Sequence, residues 1–282
     1  MRLAEFLRRG VSALLPVYPE REARNILSLL CAEMLGTESY THIVEPEFRV
    51  DSGKEAALEA ALSRLAAGEP IQYVLGKASF CGREFNVGPG VLIPRPETES
   101  LCAEALSYLA GRPSVRVLDL CTGSGNIAWT LALSRDDAHV VAVDKSAAAL
   151  DVARNQPFHA AVPPEFTEAD ILMPPPASWE PFDLVVSNPP YILESEKAAM
   201  RQNVLSYEPA SSLFVPDADP LVFYRAVAEW TLRLLRPSGA LMVEINESLG
   251  LSVKGLFEAY GFREVLIVRD FFEKDRFVKC LR

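Results

Sequence analysis

The chain has 282 residues, 49% hydrophobic and 23% charged, enough apolar material for one large domain or two ordinary ones; this excludes disorder as its main state. Its 28 Lys and Arg against 38 Asp and Glu leave a net charge of −10, which disfavours general binding to nucleic acid because phosphate repels it. Charges interrupt every apolar run well before bilayer length, so no transmembrane helix is expected, and the opening MRLAEFLRRGVSALLP lacks the unbroken apolar stretch of a signal peptide.

Residues 1 to about 75 read as helical. Leu3, Phe6 and Leu7 share one face, followed by Val11, Leu14 and Leu15. Pro19-Glu20 opens a second run in which Ala23, Ile26, Leu27, Leu30, Cys31 and Met34 recur at helical spacing up to Gly36. Ser52 with Glu55 fits a capping box for a third helix through Leu58, Leu62 and Leu65. Ala78–Cys81 and Glu84–Val87 flank Gly82-Arg83 as a hairpin, and Gly88, Pro89, Gly90, Pro94 and Pro96 punctuate a connector over 76–95.

From residue 96 to 282 strand and helix patterns alternate. Strands are expected at 115–120, 139–143, 165–169, 182–187, 240–245, 263–268 and 276–281, and helices at 97–110, 126–134, 146–154, 219–235 and 249–260. This spacing predicts an α/β domain with a mostly parallel sheet covered on both faces. The last two strands are too close in sequence for a helical crossover, so one of them should be antiparallel. The five cysteines (Cys31, Cys81, Cys102, Cys121 and Cys280) are odd in number, form no CxxC and lie apart from the three histidines. They point to a reducing, cytoplasmic setting, with neither a disulfide frame nor a zinc site, and each reads first as a small buried apolar group.

Two segments carry chemistry. Asp119-Leu-Cys121-Thr122-Gly123-Ser124-Gly125-Asn-Ile-Ala128 follows a strand and opens a helix, with Asp144 about 20 residues further on. Glycine lets the backbone approach a ligand, the helix start offers free N–H groups, and a carboxylate ending the next strand suits two ribose hydroxyls. The alternative is an ordinary turn with a solvated aspartate. The pattern alone does not separate a nicotinamide dinucleotide from S-adenosyl-L-methionine. Asp119 favours the latter, because a carboxylate beside the loop attracts a sulfonium or amino group and repels a pyrophosphate; its alternative role is bracing the loop.

The second segment, Asn188-Pro189-Pro190-Tyr191, follows an apolar strand. Two prolines force the chain out of the sheet, which sets Asn188 at a strand end beside the glycine loop. The Asn188 side-chain carbonyl and the Pro189 main-chain carbonyl are two acceptors suited to one NH₂ group, and Tyr191 supplies a ring for a flat amide or base. The alternative is a strand exit with a structural asparagine.

These residues resemble the amino-methyltransferases that carry an Asn-Pro-Pro-Tyr type motif. Glu69-Pro-Ile-Gln-Tyr-Val-Leu-Gly76, Phe80–Val87, Val91-Leu-Ile-Pro-Arg-Pro-Glu-Thr-Glu99, Tyr207-Glu-Pro209 and the closing Arg269-Asp270 and Asp275–Val278 are similar to the HemK/PrmC family. Its members are protein N5-glutamine methyltransferases acting on class-I peptide chain release factors. The resemblance implies a Rossmann-like, seven-stranded class I methyltransferase domain, a small N-terminal helical domain of about five helices that recognises substrate, and a β-hairpin connector.

It further implies S-adenosyl-L-methionine as cofactor and S-adenosyl-L-homocysteine as product, with no metal, and a glutamine of the Gly-Gly-Gln motif as the methylated group. The cofactor would be held by Asp119, residues 121–125, Asp144, the pair Asp170 and Ile171, the latter beside the adenine, and Asn188. The substrate glutamine would be held by Asn188 through Tyr191. The protein partner would be a release factor, with neither nucleic acid nor membrane required. Cys121 stands where the family usually has glycine, which presupposes an ordinary φ there, and Asn246-Glu-Ser248 replaces an expected histidine-glycine type sequence.

Other classes explain less. A nucleic-acid amino-methyltransferase shares the NH₂ logic but not the charge balance. A nicotinamide oxidoreductase leaves Asn188–Tyr191 without a role, and a non-catalytic adaptor leaves both segments without one. A ribosomal-protein glutamine methyltransferase is the nearest alternative.

Overall fold

The computed structural model describes residues 1–270 and 272–282. The helices are α1 (Leu3–Leu14), α2 (Glu20–Leu35), α3 (Thr41–Val44), α4 (Ser52–Ala66), α5 (Ile71–Leu75), α6 (Thr98–Leu109), α7 (Asn126–Ser134), α8 (Ala147–Arg154), α9 (Gln202–Tyr207), α10 (Val222–Leu234) and α11 (Gly250–Ala259). The strands are β1 (Lys77–Phe80), β2 (Arg83–Asn86), β3 (Arg116–Leu120), β4 (His139–Asp144), β5 (Glu165–Glu168), β6 (Phe182–Ser187), β7 (Ile192–Leu193), β8 (Phe214–Val215), β9 (Leu235–Glu244), β10 (Arg263–Arg269) and β11 (Asp275–Leu281). None of the described helices is long and apolar enough to cross a membrane.

The chain divides into two units, Met1–Lys77 with Arg201–Tyr207, and Ala78–Met200 with Glu208–Arg282. The first is helical and closes on Leu3, Phe6, Leu14, Leu27, Leu30, Leu58 and Leu65, which are fully or almost fully buried. Its cap chemistry differs from the expected capping box. Asp51, not Ser52, is the N-cap of α4: its carboxylate accepts from the Gly53 N–H at 2.8 Å, and Glu55 instead pairs with the Met1 ammonium. Aspartate in extended backbone presents its oxygen to the free N–H groups as well as serine does, and Asp51 stands one residue earlier. α9 joins this unit through the Arg201–Glu22 ion pair and a 3.1 Å bond from the Tyr207 hydroxyl to the Ala67 carbonyl. Nothing in the local sequence of 202–207 signals that attachment.

The second unit is built on a seven-stranded sheet ordered β10-β11-β9-β6-β3-β4-β5. β9, β6, β3, β4 and β5 are parallel, and β11 runs antiparallel to both β9 and β10, as the short β10–β11 connection requires. Alternate residues of each strand serve opposite faces. Leu118, Leu120, Val185, Leu241 and Val243 pack against Tyr224, Trp230 and Phe257 of α10 and α11. Val117, Ala142, Leu184, Val186 and Met242 pack against Leu101, Leu109, Trp129 and Leu131 of α6 and α7. β9 starts five residues earlier than expected, because Arg236-Pro-Ser-Gly239 passes along β6 with a register irregularity before regular pairing resumes at Ala240.

The hairpin turn is Cys81-Gly82 rather than Gly82-Arg83. Both residues have positive φ, 48° and 71°, the geometry of a type I′ turn whose twist matches that of the strands. Phe80 and Phe85 are buried in the α6–α7 core, and their rings meet edge to face at 5.9 Å.

Candidate active site

β3 and β6 are neighbours in the sheet, with Leu120 opposite Ser187, and their C-terminal ends carry the two segments singled out in the sequence. β3 is followed by β4 on one side, whereas β6 is followed in the sheet by β9 on the other. This reversal is the place where open α/β sheets leave a crevice. The crevice is lined by Cys121, Thr122, Gly123, Ser124, Asp144, Asp170, Ile171, Asn188 and Pro190. Nine of the expected residues thus meet in one cleft. Asp119, Gly125, Pro189 and Tyr191 do not line it.

The loop after β3 is held from beneath. Thr122 donates its N–H to the Val143 carbonyl at 2.9 Å and its hydroxyl to Asp119 at 2.6 Å. Asp119 is fully buried, and its other oxygen has no hydrogen-bond partner among the described residues. Asp119 therefore braces the loop rather than facing the cleft. Burial pushes its carboxyl up to about 7, against the Thr122 hydroxyl that favours the charged form.

Gly123 has φ +55° and open space where a Cβ would stand, so the backbone there is accessible to a ligand. Gly125 serves a different need. At φ +78° it caps α7, and a Cβ there would lie 3.0 Å from that of Ala153 and 3.1 Å from the Trp129 ring. Cys121 corrects the expectation of an ordinary φ: its φ is +62°, in the left-handed region that L side chains avoid. The position needs positive φ for the chain to leave β3, which is the physical reason glycine suits it.

Asp144 ends β4 with its carboxylate at the cleft. Its oxygens accept from the Gly123 N–H and the Ser146 N–H, both at 2.9 Å, which fixes the group while its remaining lone pairs stay available. Burial raises its pKa, opposed by these two N–H donors. Asp170 accepts from the Leu172 N–H at 2.9 Å, and Ile171 offers a buried apolar side chain beside it. The open backbone at Gly123, the carboxylate of Asp144 and the apolar Ile171 fit a nucleoside carrying an amino-acid tail.

Residues given no role from the sequence complete the site. The Asn188 amide donates to the Thr98 hydroxyl oxygen at 3.3 Å, Thr98 donates to Glu244 at 2.6 Å, and the Tyr191 hydroxyl donates to the other Glu244 oxygen at 2.9 Å. Glu244 is almost fully buried; burial raises its pKa, and the Thr98 and Tyr191 hydroxyls oppose the rise. Asn246 brackets the same segment by donating to the Tyr191 carbonyl at 3.2 Å and to Glu196 at 2.9 Å. Arg95, at the rim, pairs at 2.7 Å with the buried Glu208, which also accepts from the Ile93 N–H at 3.1 Å. Thr98 and Glu208 lie in the stretches 91–99 and 207–209 noted in the sequence, but their partners are set only by tertiary packing.

Residues 5–76 match the PrmC N-terminal domain and residues 100–208 match the methyltransferase small domain. The release factor glutamine methyltransferase of Bacteroides thetaiotaomicron is 40% identical over 283 residues, spanning 100% of this chain and 99% of that protein. That of Flavobacterium psychrophilum is 34% identical over 99% of both chains. That of Chlorobaculum tepidum is 37% identical over 92% of this chain and 90% of that protein. With identity at this level sustained along both chains, and with the N-terminal and methyltransferase domains each matched, the chain belongs to the release factor glutamine methyltransferase (HemK/PrmC) family.

Proposed function

We propose that this chain transfers the methyl group of S-adenosyl-L-methionine to the side-chain amide nitrogen, N5, of a glutamine in class-I peptide chain release factors, with S-adenosyl-L-homocysteine as the second product. The observation that carries this reading is that Asn188 lines the same cleft as Gly123 and Asp144. An acceptor for an NH₂ group and a cradle for a nucleoside are then side by side. The full-length relatives named for this activity support it.

S-adenosyl-L-methionine supplies an electrophilic methyl group on sulfur when bound. Residues 121–124 would hold its amino-acid end, Asp144 its ribose hydroxyls, and Asp170 with Ile171 its adenine. A glutamine amide nitrogen is a weak nucleophile, because its lone pair is shared with the carbonyl. Asn188 Oδ1, which lines the cleft, would accept one N–H of the amide, and the main-chain carbonyl of Pro189, a residue just outside the cleft lining, would accept the second, which together aims the lone pair at the methyl carbon. Their acceptor character gains value as the nitrogen becomes positive, which is where stabilisation accelerates the step. Tyr191, held by Glu244, closes one side of the segment. The positively charged nitrogen then loses one proton to water, which leaves the neutral methylamide. The helical unit recognises the body of the release factor.

The test is incubation with labelled S-adenosyl-L-methionine and purified release factors, followed by mapping of the methylated residue. Asn188→Ala should slow single-turnover transfer on the order of a hundredfold or more, by analogy with loss of one preorganised charge-stabilising group, while leaving cofactor affinity nearly unchanged. Transfer at the wild-type rate, or a label on a residue other than glutamine, overturns the reading.

A further inference from the structure

We propose that Thr98 and Glu244 are positioning residues that set which edge of the Asn188 amide faces the substrate. The inference rests on the reading of Asn188 above and adds to it the device that makes Asn188 an acceptor.

The count of hydrogens fixes the direction of each bond. Thr98 has a single hydroxyl hydrogen, and it is given to Glu244 Oε2 at 2.6 Å. Glu244 Oε2 accepts this hydrogen while Oε1 accepts that of the Tyr191 hydroxyl, so the carboxylate serves as an acceptor at both oxygens. The Thr98 oxygen then has lone pairs alone to offer Asn188, 3.3 Å away. The amide edge that meets it must be Nδ2, which leaves Oδ1 as the edge not engaged by Thr98. An amide turned by 180° would set Oδ1 against the lone pairs of Thr98 and present NH₂ to the NH₂ of a glutamine, a donor facing a donor. The two orientations are nearly equal in shape, and among the described residues Thr98 is the hydrogen-bond partner that distinguishes them.

Glu244 also holds the far end of the motif. Its Oε1 accepts from the Tyr191 hydroxyl at 2.9 Å. One buried carboxylate therefore fixes Asn188 through Thr98 and fixes Tyr191 directly. Both Thr98 and Glu244 are 1% exposed, so water does not compete for these bonds. Thr98 stands at the first turn of α6 and Glu244 at the end of β9, so the acceptor is aimed by two elements outside the segment that carries it.

The experiment measures single-turnover methyl transfer to release factor at saturating cofactor, with cofactor affinity by calorimetry. Thr98→Val keeps the shape and removes the hydroxyl. It should slow transfer roughly tenfold, the worth of one neutral hydrogen bond, with cofactor affinity unchanged, and Thr98→Ser should restore the rate. Thr98→Ala sets no methyl group against the carboxylate and carries the same expectation should Thr98→Val not fold. In the Asn188→Ala background the Thr98 substitution should cause no further loss, because Thr98 acts through Asn188. A wild-type rate for the hydroxyl-free variants overturns the proposal, as does an equal further loss in the Asn188→Ala background, and in both cases the reading of Asn188 stands. If Asn188→Ala alone transfers at the wild-type rate, that reading fails and this proposal with it.

Discussion

Gln156 donates to the Ser124 carbonyl at 3.1 Å and thereby ties the glycine loop after β3 to the β-hairpin. The same amide nitrogen donates to the Asn86 carbonyl at 2.9 Å, and its oxygen accepts the Asn86 N–H at 2.7 Å. All three bonds form around a side chain only 6% exposed. Gln156→Leu leaves two carbonyls and one N–H without partners and should destabilise the protein by about 2–3 kcal/mol. Urea unfolding checks this, and a loss below half a kcal/mol would show the bonds to be incidental.

Asp144→Ala should weaken S-adenosyl-L-methionine binding at least tenfold, because a fixed acceptor for ribose is removed and the Gly123 and Ser146 N–H groups lose their partner. Calorimetry on the two proteins reads the effect. Unchanged affinity moves the ribose contact elsewhere.

The pH dependence of stability should carry a signature of Asp119. Its carboxyl is raised to about 7 by burial, from about 3.9 in the unfolded chain. The fold thus favours the protonated form. Its stabilising contribution is complete below the unfolded value, is lost as pH rises, and is gone above about 7. Asp119→Asn has no such loss. The stability difference between variant and wild type should grow with pH by about 1.4 kcal/mol per unit up to neutrality and level off beyond it. Unfolding curves from pH 5.5 to 8.5 measure it; a difference independent of pH contradicts the assignment.

Cys121→Gly and Cys121→Ala both lose the thiol, but only glycine adopts φ +62° without strain. The glycine variant should be the more stable by about 1 kcal/mol. Equal thermal midpoints would show that the surrounding packing, not the backbone, governs this position.

A chain beginning near Ser79 retains every residue lining the cleft. It should bind cofactor and lose most of its activity on intact release factor, because one side-chain amide is too small a target to specify a protein. Full activity would remove the helical unit from substrate recognition.

How much of this was legible in the sequence follows from how local each signal is. Residues 116–120 and 139–144 were readable as strands because Val117, Leu118 and Leu120 in the first and Val140 to Val143 in the second are apolar, as buried parallel strands require. Asn188-Pro-Pro-Tyr was legible because two prolines force a strand to end. The partnership of Thr98 with Glu244 was not, since 146 residues separate them and neither has a local pattern to announce it. The positive φ of Cys121 was hidden because an ordinary side chain occupies a position whose backbone demands something else. β7 and β8, at two residues each, are too short to leave any periodicity.

The reversal of strand order between β3 and β6 has a consequence for how such a site changes over time. α6 and α7 lie on one face of the sheet, α10 and α11 on the other, so the crevice arises from chain routing and no particular side chain is needed to open it. Asp119 and Asp144, strand-end residues that also hold the loop, are therefore the ones least free to change. The routing sets where the crevice lies, and those two carboxylates limit which parts of its rim can be rewritten without disturbing the loop.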